Sequence, residues 1–488
     1  MTATTPFDTA ELREVREAAR RHAQALSAGL ATVLGTIAAL AAVSAFAVLD
    51  YHFNQAAHRL VKILIGAAAF GGVLAWPRVG LLAIPIVTPF LPWLPMLRIP
   101  GLNPQNVLLG SVFLTWALAR VLNRQDVFRP GRLGAVIGAV VALAALSVVR
   151  GAAVPTGYEY PADRTALVWF RSSVAFSVYF ITLAMARGER DRRRLTWAVT
   201  PGLLAEAACT ILYRRNGRGG RAVGSIGQSN ELGAFLALYT VMVAALLPAV
   251  RRWFARLILL GMVTAGAYAT ILSVSRGAIV AMVLGLLYVG FKSSRILTLL
   301  FVAVLLTGPL WAPDYLKERM TGTQRAVEGT DEVELENSAQ LRVDTWKATM
   351  TVIGDHPIDG VGFAGLAYVL PDAGEALGLE VKDSSHNTFL RFLAEMGVFG
   401  LGLFCFLLWK CWALARDAGR AARTPFDRQM CVGLSAAVLA LAVSCLFGDR
   451  FFNIAITGSF WMICALADDI LLGQRPAPLS RVPQEARA

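Results

Sequence analysis

Apolar runs of about 17–22 residues recur along almost the whole chain, and each is long enough to cross the roughly 30 Å hydrocarbon core of a bilayer as an α-helix. These runs do not alternate apolar with polar residues, as the strands of a membrane β-barrel do. Of the 488 residues, 56% are hydrophobic and only 16% are charged, whereas soluble domains have about 25% charged residues. The sequence therefore predicts an all-α polytopic membrane protein whose main surroundings are the lipid bilayer.

A window of about 19 residues finds about fourteen transmembrane helices. They are predicted at about 29–49, 61–76, 79–97, 106–122, 133–149, 166–186, 195–213, 231–250, 257–274, 277–291, 296–312, 387–412, 430–448 and 452–472. The charged residues 1–27 are predicted to be a cytoplasmic amphipathic segment, and residues 473–488 a cytoplasmic tail. The predicted domains between them are an N-terminal transmembrane bundle at 28–312, a small helical cap at 313–386 and C-terminal transmembrane helices at 387–472.

Arginine and lysine in the short loops orient the bundle, because cytoplasmic loops carry an excess of positive charge. With both termini in the cytoplasm, basic loops such as ARGERDRRR and ARDAGRAARTPFDR fall inside, and the long cap segment falls outside. Most of the net charge of +13 lies in such loops. The charge therefore indicates topology, and no nucleic-acid partner is predicted.

One outside loop breaks this rule. The segment RRNGRGGRAVGSIGQSN, residues 214–230 and called the arginine loop below, carries Arg214, Arg215, Arg218 and Arg221 and no acid. One interpretation is a tolerated exception to a statistical rule. The other is an anion site, since its glycines let the backbone approach a ligand and arginine forks suit phosphate oxygens. Asn230 is placed to cap the next helix, whose positive dipole end points at the same spot.

A second outside arginine, Arg276, stands in ILSVSRGAIVAMVLGLL between two apolar runs with almost no loop. Two interpretations stay open for a charge at this depth. Its side chain either extends to the lipid headgroups or serves as a second anion ligand at the outer boundary of the membrane.

The cap segment contains LRVDTWKATMTVIGDHP, whose apolar spacing predicts an amphipathic helix that ends near Pro357. His356 in this stretch is interpreted as a turn residue. The acidic run at 331–336 has no His or Cys and no ligand spacing, so we predict a solvated loop and no metal site.

His386 stands where the cap re-enters the membrane, flanked by polar residues that include Asn387. A neutral imidazole there can take a proton from a hydroxyl group, although an interfacial or capping role also fits. Further along, Arg391 and Glu395 are spaced i, i+4 and are predicted to pair within the helix. Glu395 is also a candidate to orient part of the site.

Two arginine sites and a histidine at the outer boundary indicate chemistry on an anion there. No ATP pool exists outside the inner membrane, so a biosynthetic transfer needs a donor that carries its own activation. A glycan on a polyprenyl diphosphate is such a donor. His386 would deprotonate an acceptor hydroxyl, while Arg221 and Arg276 would hold the diphosphate and stabilise its growing charge. Because arginine supplies that charge, neither a metal nor another cofactor is predicted.

Four blocks between about 220 and 405 resemble, in order, the O-antigen ligase/polymerase superfamily: GSIGQSNELGAFLALY, SVSRGAIVAMVLG, RVDTWKATMTVIGDHPIDGVG and SSHNTFLRFLAEMGVFGL. The resemblance implies a GT-C-like glycosyltransferase of the bacterial inner membrane, inverting and metal-independent, with an undecaprenyl-diphosphate-linked glycan as donor and a periplasmic active site. It implies a catalytic role for His386 and phosphate binding by Arg221, Arg276 and Arg342. Arg218 has no clear family counterpart and is added as a diphosphate-binding candidate. The supporting candidates are Asn230, Asn387 and Glu395.

Several alternatives stay open. A ligase transfers finished glycan to the lipid A core of lipopolysaccharide, a polymerase extends an O-antigen or exopolysaccharide glycan, and other relatives glycosylate protein hydroxyls. A different class, a secondary transporter of an anionic or lipid-linked substrate, predicts inverted repeats and ionisable groups near the midplane. No convincing repeat is present, although Glu206 lies well inside a span. A scaffold without chemistry would leave the arginine loop and His386 unexplained.

Overall fold

The computed structural model describes residues 77–93, 104–123, 127–153, 158–213, 221–293, 298–299, 301–303, 306–307, 324–326, 333–335 and 337–474. The predicted segment 1–27, the predicted spans at 29–49 and 61–76, most of the span at 296–312 and nearly all of the predicted tail lie outside these residues.

Thirteen α-helices occur in the described residues. They are α1 Pro77–Val87, α2 Pro104–Leu122, α3 Gly134–Ala153, α4 Ala162–Met185, α5 Gly188–Tyr213, α6 Ser229–Ala244, α7 Trp253–Leu272, α8 Arg276–Ser293, α9 Asn337–Asp355, α10 Leu366–Ala376, α11 Thr388–Ala421, α12 Pro425–Leu446 and α13 Ile454–Leu472. Short 3₁₀ turns follow α1 at Thr88–Trp93 and α6 at Leu247–Ala249. Two short strands that the sequence did not predict, β1 Gln324–Ala326 and β2 Val333–Leu335, pair antiparallel.

Within the described residues, nine helices are long and apolar enough to cross a membrane, namely α3 to α8 and α11 to α13. Each corresponds to one predicted span. Two apolar helical segments are shorter, namely Arg78–Phe90, which covers most of α1 and part of the 3₁₀ turn after it, and Leu109–Leu122 in α2. Side-chain caps help to fix where the last helices begin, since Thr424 accepts from the amide of Asp427 and Asn453 from that of Ala455. The predicted all-α polytopic membrane class is confirmed.

Two helices form the centre of the bundle. Helix α13 is buried from Ile454 to Leu471, and α6 is buried from Leu232 to Ala244. Aromatic rings fill the space beside α13: the rings of Phe392 and Phe404 stack with centroids 4.4 Å apart. A helix that is apolar and buried on every side belongs at the middle of such a bundle.

A loop at 356–365 fastens α9 and α10 to the bundle where α11 is interrupted. Gly397 has a φ of 64°, and a Cβ at this position would lie 1.9 Å from the carbonyl oxygen of Ile358, so only glycine fits. The hydroxyl of Tyr160 donates to the carbonyl of Phe363 at 2.7 Å. Burial raises the pKa of Tyr160 to about 12, which keeps this hydroxyl a donor. The helix predicted over LRVDTWKATMTVIGDHP is present as α9.

Buried ion pairs join helix ends at the opposite face, meaning the end of the bundle away from α9 and α10. Arg192, near the start of α5, donates to Asp427 and to Asp469, each at 2.8 Å. Arg129 also donates to Asp469 at 2.8 Å. Asp427 and Asp469 are only 1% and 3% exposed. The pairs therefore link the ends of α5, α12 and α13 with the segment that precedes α3.

Replacing Asp469 with alanine is expected to lower the free energy of unfolding by about 3–5 kcal/mol, because it leaves Arg129 without its buried carboxylate and Arg192 with only that of Asp427. The matched control is Asp417→Ala, which breaks pairs with Arg132 and Arg416 that are largely exposed and should cost only about 0–1 kcal/mol. Unfolding in mixed micelles measures both. Similar losses in the two variants would contradict a structural role for the buried network.

Candidate functional site

The described part of the arginine loop lies against the end of α7. Arg221 Nε donates to the carbonyl oxygen of Ser273 at 3.1 Å, and its Nη2 donates to Asn230 Oδ1 at 2.6 Å. The amide of Ala222 donates to the carbonyl oxygen of Leu272 at 3.1 Å. These bonds fix Arg221 between the start of α6 and the end of α7.

The predicted capping role of Asn230 is wrong. Helix α6 begins at Ser229, so the N-cap position belongs to Gln228, whose side chain makes no capping bond. Asn230 lies in the first turn instead, where its amide oxygen accepts from the Arg221 guanidinium. The helix starts earlier than a cap at Asn230 requires, and the side chain is thereby available to hold Arg221.

Arg276 is the first residue of α8, which follows α7 after a sharp reversal of the chain. Val274 has a φ of 49° at this reversal, a left-handed conformation that few non-glycine residues adopt. Gly277 packs so closely on Phe447 that a Cβ would lie 2.7 Å from the Phe447 Cβ. The first turn of α8 therefore adjoins the 447–453 loop, which connects α12 and α13.

His386 is placed by the turn that leads into α11. Its φ is 51°, and its amide donates to Ser384 Oγ at 3.2 Å. Asn387 caps α11 by accepting from the amides of Phe389 and Leu390. A left-handed conformation at a residue with a Cβ persists only where the surroundings impose it. The turn and the cap together fix the backbone from which the imidazole extends.

Helix α9 lies over this turn. The indole Nε1 of Trp346 donates to the carbonyl oxygen of Ser385 at 3.0 Å. Arg342 stands one turn earlier on the same helix, and its charge acts on His386. Helix α9 therefore contributes a positive charge that acts on the histidine.

The surroundings of His386 favour a neutral imidazole. Burial is the main cause that lowers the pKa of His386 below its ordinary value, and the charge of Arg342 lowers it further. Arg450 acts in the same direction, whereas Asp449 and Asp383 raise the pKa. Because the net direction is down from about 6.5, the imidazole is uncharged at pH 7 and able to accept a proton.

Sequence reasoning missed Asp449 and Arg450, which stand in the short loop GDRFFN between two apolar runs. Arg450 is 6% exposed, and its Nη1 lies 3.6 Å from Glu231 Oε1. Asp449 Oδ2 accepts from Ser384 Oγ at 2.6 Å, and Oδ1 is buried with no hydrogen-bond partner among the described residues. The sequence signal that could have identified them is an acid next to an arginine at the boundary of a predicted span.

Glu395 lies further along α11 and forms the predicted ion pair with Arg391, at 3.0 Å between Oε1 and Nε. The Arg391 guanidinium also lies over the rings of Phe363 and Phe452. The backbone carbonyl of Glu395 accepts from the amide of Gly362 at 3.0 Å. Phe363 and Gly362 belong to the 356–365 loop and Phe452 to the 447–453 loop, so we assign the pair to the docking of these loops on α11.

His356 is in the turn after α9, as predicted. Its Nδ1 lies 3.5 Å from Nη2 of Arg150, which pairs with Asp359 at 2.6 Å. Arg218 lies outside the described residues, as do Arg214 and Arg215, so their candidate roles stay predictions.

One chain of contacts connects Arg221 with His386. Arg221 bonds Asn230, the next residue Glu231 pairs with Arg450, and Arg450 acts on His386. Four elements meet here: the arginine loop, the first turn of α6, the 447–453 loop and the turn before α11. A half-buried neutral imidazole beside guanidinium groups suits an anionic ligand that must meet a general base.

Residues 260–405 match the family model described as O-Antigen ligase. The matched segment contains Arg276, Arg342 and His386, and it confirms the resemblance to the O-antigen ligase/polymerase superfamily over those residues. No curated protein matches the chain. A chain from a solved structure of a peptidoglycan synthase complex, described as coordinating polymerization and crosslinking, is similar at 18% identity with a TM-score of 0.39. That similarity covers 70% of this chain and 96% of the other.

The opposing charges around His386 predict opposite effects of two neutralising substitutions. Arg342→Gln should raise the pKa of His386, because it removes a nearby positive charge, whereas Asp449→Asn should lower it. NMR titration of histidine-labelled protein in nanodiscs measures the pKa, and His386→Gln assigns the signal. A shift in the same direction in both variants, or none in either, would contradict the described surroundings.

Proposed function

Because residues 260–405 match the O-antigen ligase family, we propose that the chain is a membrane glycosyltransferase. It transfers a glycan from an undecaprenyl-diphosphate-linked donor to an acceptor hydroxyl at the periplasmic surface of the bacterial inner membrane. The observation that carries the proposal is the position of His386, a neutral imidazole on which the charges of Arg342 and Arg450 act. The positive charges of these arginines and the base therefore act at the same position.

The arginines bind the donor diphosphate. Arg221 holds its oxygens from the arginine loop, and Arg276 holds them from the start of α8. Arg342 faces the diphosphate from α9, and Arg450 faces it from the 447–453 loop. The positive dipole end of α8 adds to their field where Arg276 begins the helix. Guanidinium groups make charge-assisted hydrogen bonds to phosphate oxygens. As the bond to the sugar breaks, negative charge grows on the diphosphate, and these donors stabilise it.

His386 activates the acceptor. Its imidazole takes the proton of the acceptor hydroxyl while the oxygen attacks the anomeric carbon from the face opposite the diphosphate. The new glycosidic bond forms as the bond from carbon to phosphate oxygen breaks, undecaprenyl diphosphate leaves, and the configuration inverts. Asp449, whose charge raises the pKa of His386, stabilises the imidazolium that results.

Donor binding tunes the base. In the free protein, burial and the arginines keep His386 neutral. A bound diphosphate brings negative charge beside the same arginines and offsets their effect on the imidazole, so the pKa of His386 rises. The base therefore becomes stronger in the complex, where it has a proton to accept. Because arginines supply the compensating charge, the proposed reaction needs no metal.

The test is product analysis of glycans by gel and mass spectrometry in the producing strain with and without this gene, which identifies the acceptor as lipid A core, glycan or protein. Loss of one glycan product, restored by the intact gene, is the expected result. An unchanged glycan profile combined with loss of uptake or export of an anionic substrate would contradict the proposal and favour a transporter.

His386→Gln should reduce transfer by roughly a hundredfold to ten-thousandfold, the range that a general base contributes. His356→Gln is the matched control, since this histidine lies in the 356–365 loop beside Arg150 and should retain near-normal transfer. Both are assayed as purified proteins in lipid with EDTA present. Normal transfer by His386→Gln, or activity that EDTA abolishes and a divalent cation restores, would contradict the mechanism.

The pH dependence of transfer should show how donor binding changes the pKa of His386. On the acid side, activity falls as His386 is protonated, and the pKa read from kcat/KM belongs to the free protein. That value should lie below about 6.5, because the pKa of His386 is lowered. The pKa read from kcat belongs to the complex and should be higher. Equal values in the two profiles would show that bound donor does not act on His386.

A further inference from the structure

Glu206 is an ionisable residue in the second half of α5, and the mechanism above does not use it. It is 0% exposed and lies in a helix long and apolar enough to cross the membrane. A carboxyl group at this depth is costly, and its partners indicate why it is present.

The partners of the Glu206 carboxyl belong to the arginine loop. Oε1 accepts from the amide of Ser225 at 2.9 Å, and Oε2 contacts the hydroxyl of Ser225. The amide of Ile226 also hydrogen-bonds to the carboxyl group. Gly224, with a φ of 54°, packs so closely that a Cβ there would lie 2.2 Å from Glu206 Oε1. The loop is therefore folded around this carboxyl group.

The hydrogen atoms in this cluster determine the form of the carboxyl group. The hydroxyl of Ser225 also lies 2.8 Å from the carbonyl oxygen of Pro89, and a carbonyl oxygen can only accept. The single hydroxyl proton of Ser225 therefore goes to Pro89. The contact between Ser225 Oγ and Glu206 Oε2 then needs a proton on Glu206. A neutral carboxylic acid meets every requirement, because Oε1 accepts from the amides and the Oε2 hydroxyl donates to Ser225.

We propose that Glu206 is a positioning residue that, as a neutral acid, holds residues 224–226 of the arginine loop and thereby Arg221. The loop is held at two places: Glu206 bonds Ser225, while Arg221 bonds Ser273 at the end of α7. The consequence of this positioning for donor binding rests on the proposed function, whereas the effect of Glu206 on the loop does not.

The test compares Glu206→Gln with Glu206→Ala. Glutamine keeps an oxygen that accepts from the amides and an N–H that donates to Ser225, so it should preserve the loop, whereas alanine removes both. Thr200→Ala is the matched control, because this buried hydroxyl in α5 donates to the carbonyl oxygen of Trp197 in its own helix and to nothing else among the described residues.

Loop order is read from the labelling of Ala222→Cys with a membrane-impermeant maleimide. Ala222 is 4% exposed, and the native cysteines all lie within membrane-spanning helices. Labelling should be about tenfold faster in Glu206→Ala, since buried hydrogen bonds of this kind restrict local opening. It should stay at the parental rate in Glu206→Gln and Thr200→Ala. Undecaprenyl diphosphate should bind about tenfold more weakly to Glu206→Ala alone.

Each outcome has a distinct meaning. Glutamine behaving like alanine would show that the charge of Glu206 is required and overturn the neutral form. Unchanged labelling in Glu206→Ala would overturn the positioning role. If that variant does not fold, Ser225→Ala replaces it and should also label faster than the parent, and an unchanged rate has the same meaning. The variants could label as expected while the parent protein fails to bind undecaprenyl diphosphate. That result would support the positioning role and contradict the proposed function.

Discussion

A charge inside a bundle of membrane helices must be compensated at short range, because the bilayer offers no water to solvate it. The two ends of this bundle meet that requirement differently. At the opposite face, arginines are neutralised by buried aspartates on neighbouring helices, and the helix ends are locked together. At the site face, burial and the charges of Arg342 and Arg450 keep the imidazole of His386 neutral. The first arrangement holds the bundle, and we propose that the second creates a field for an incoming anion.

The site depends on chain segments that are far apart in sequence. The pair between Glu231 and Arg450 joins α6 to the 447–453 loop, and Trp346 ties the cap helix to the turn that holds His386. The break in α11 at Gly397 lets the 356–365 loop dock on the bundle and hold α9 over that turn. No single element contains the site, so its geometry requires the whole bundle. A rigid scaffold of this kind suits a reaction that must keep water from a reactive donor.

Local patterns predicted much of this. Apolar run length gave the spans, charge in the loops singled out the arginine loop, and apolar spacing gave α9. The contacts that complete the site were beyond such patterns, because they join distant segments. Arg450 is more than two hundred residues from Glu231 in the chain, and nothing local marks them as partners. The predicted capping role of Asn230 was wrong because α6 begins one residue before Asn230, and sequence patterns define the exact ends of helices least well. Glu206 was visible as an anomaly, but its partner in the arginine loop emerged only from the fold.

The central claim is that the arginines and His386 converge to hold a diphosphate next to a base. The most direct measurement is a cryo-electron microscopy structure of the protein in nanodiscs with undecaprenyl diphosphate bound. The account predicts phosphate oxygens in contact with Arg221, Arg276 and Arg450, and His386 beside the position from which the sugar leaves. A headgroup bound elsewhere, for example at the opposite face, or a phosphate out of reach of His386 would contradict it.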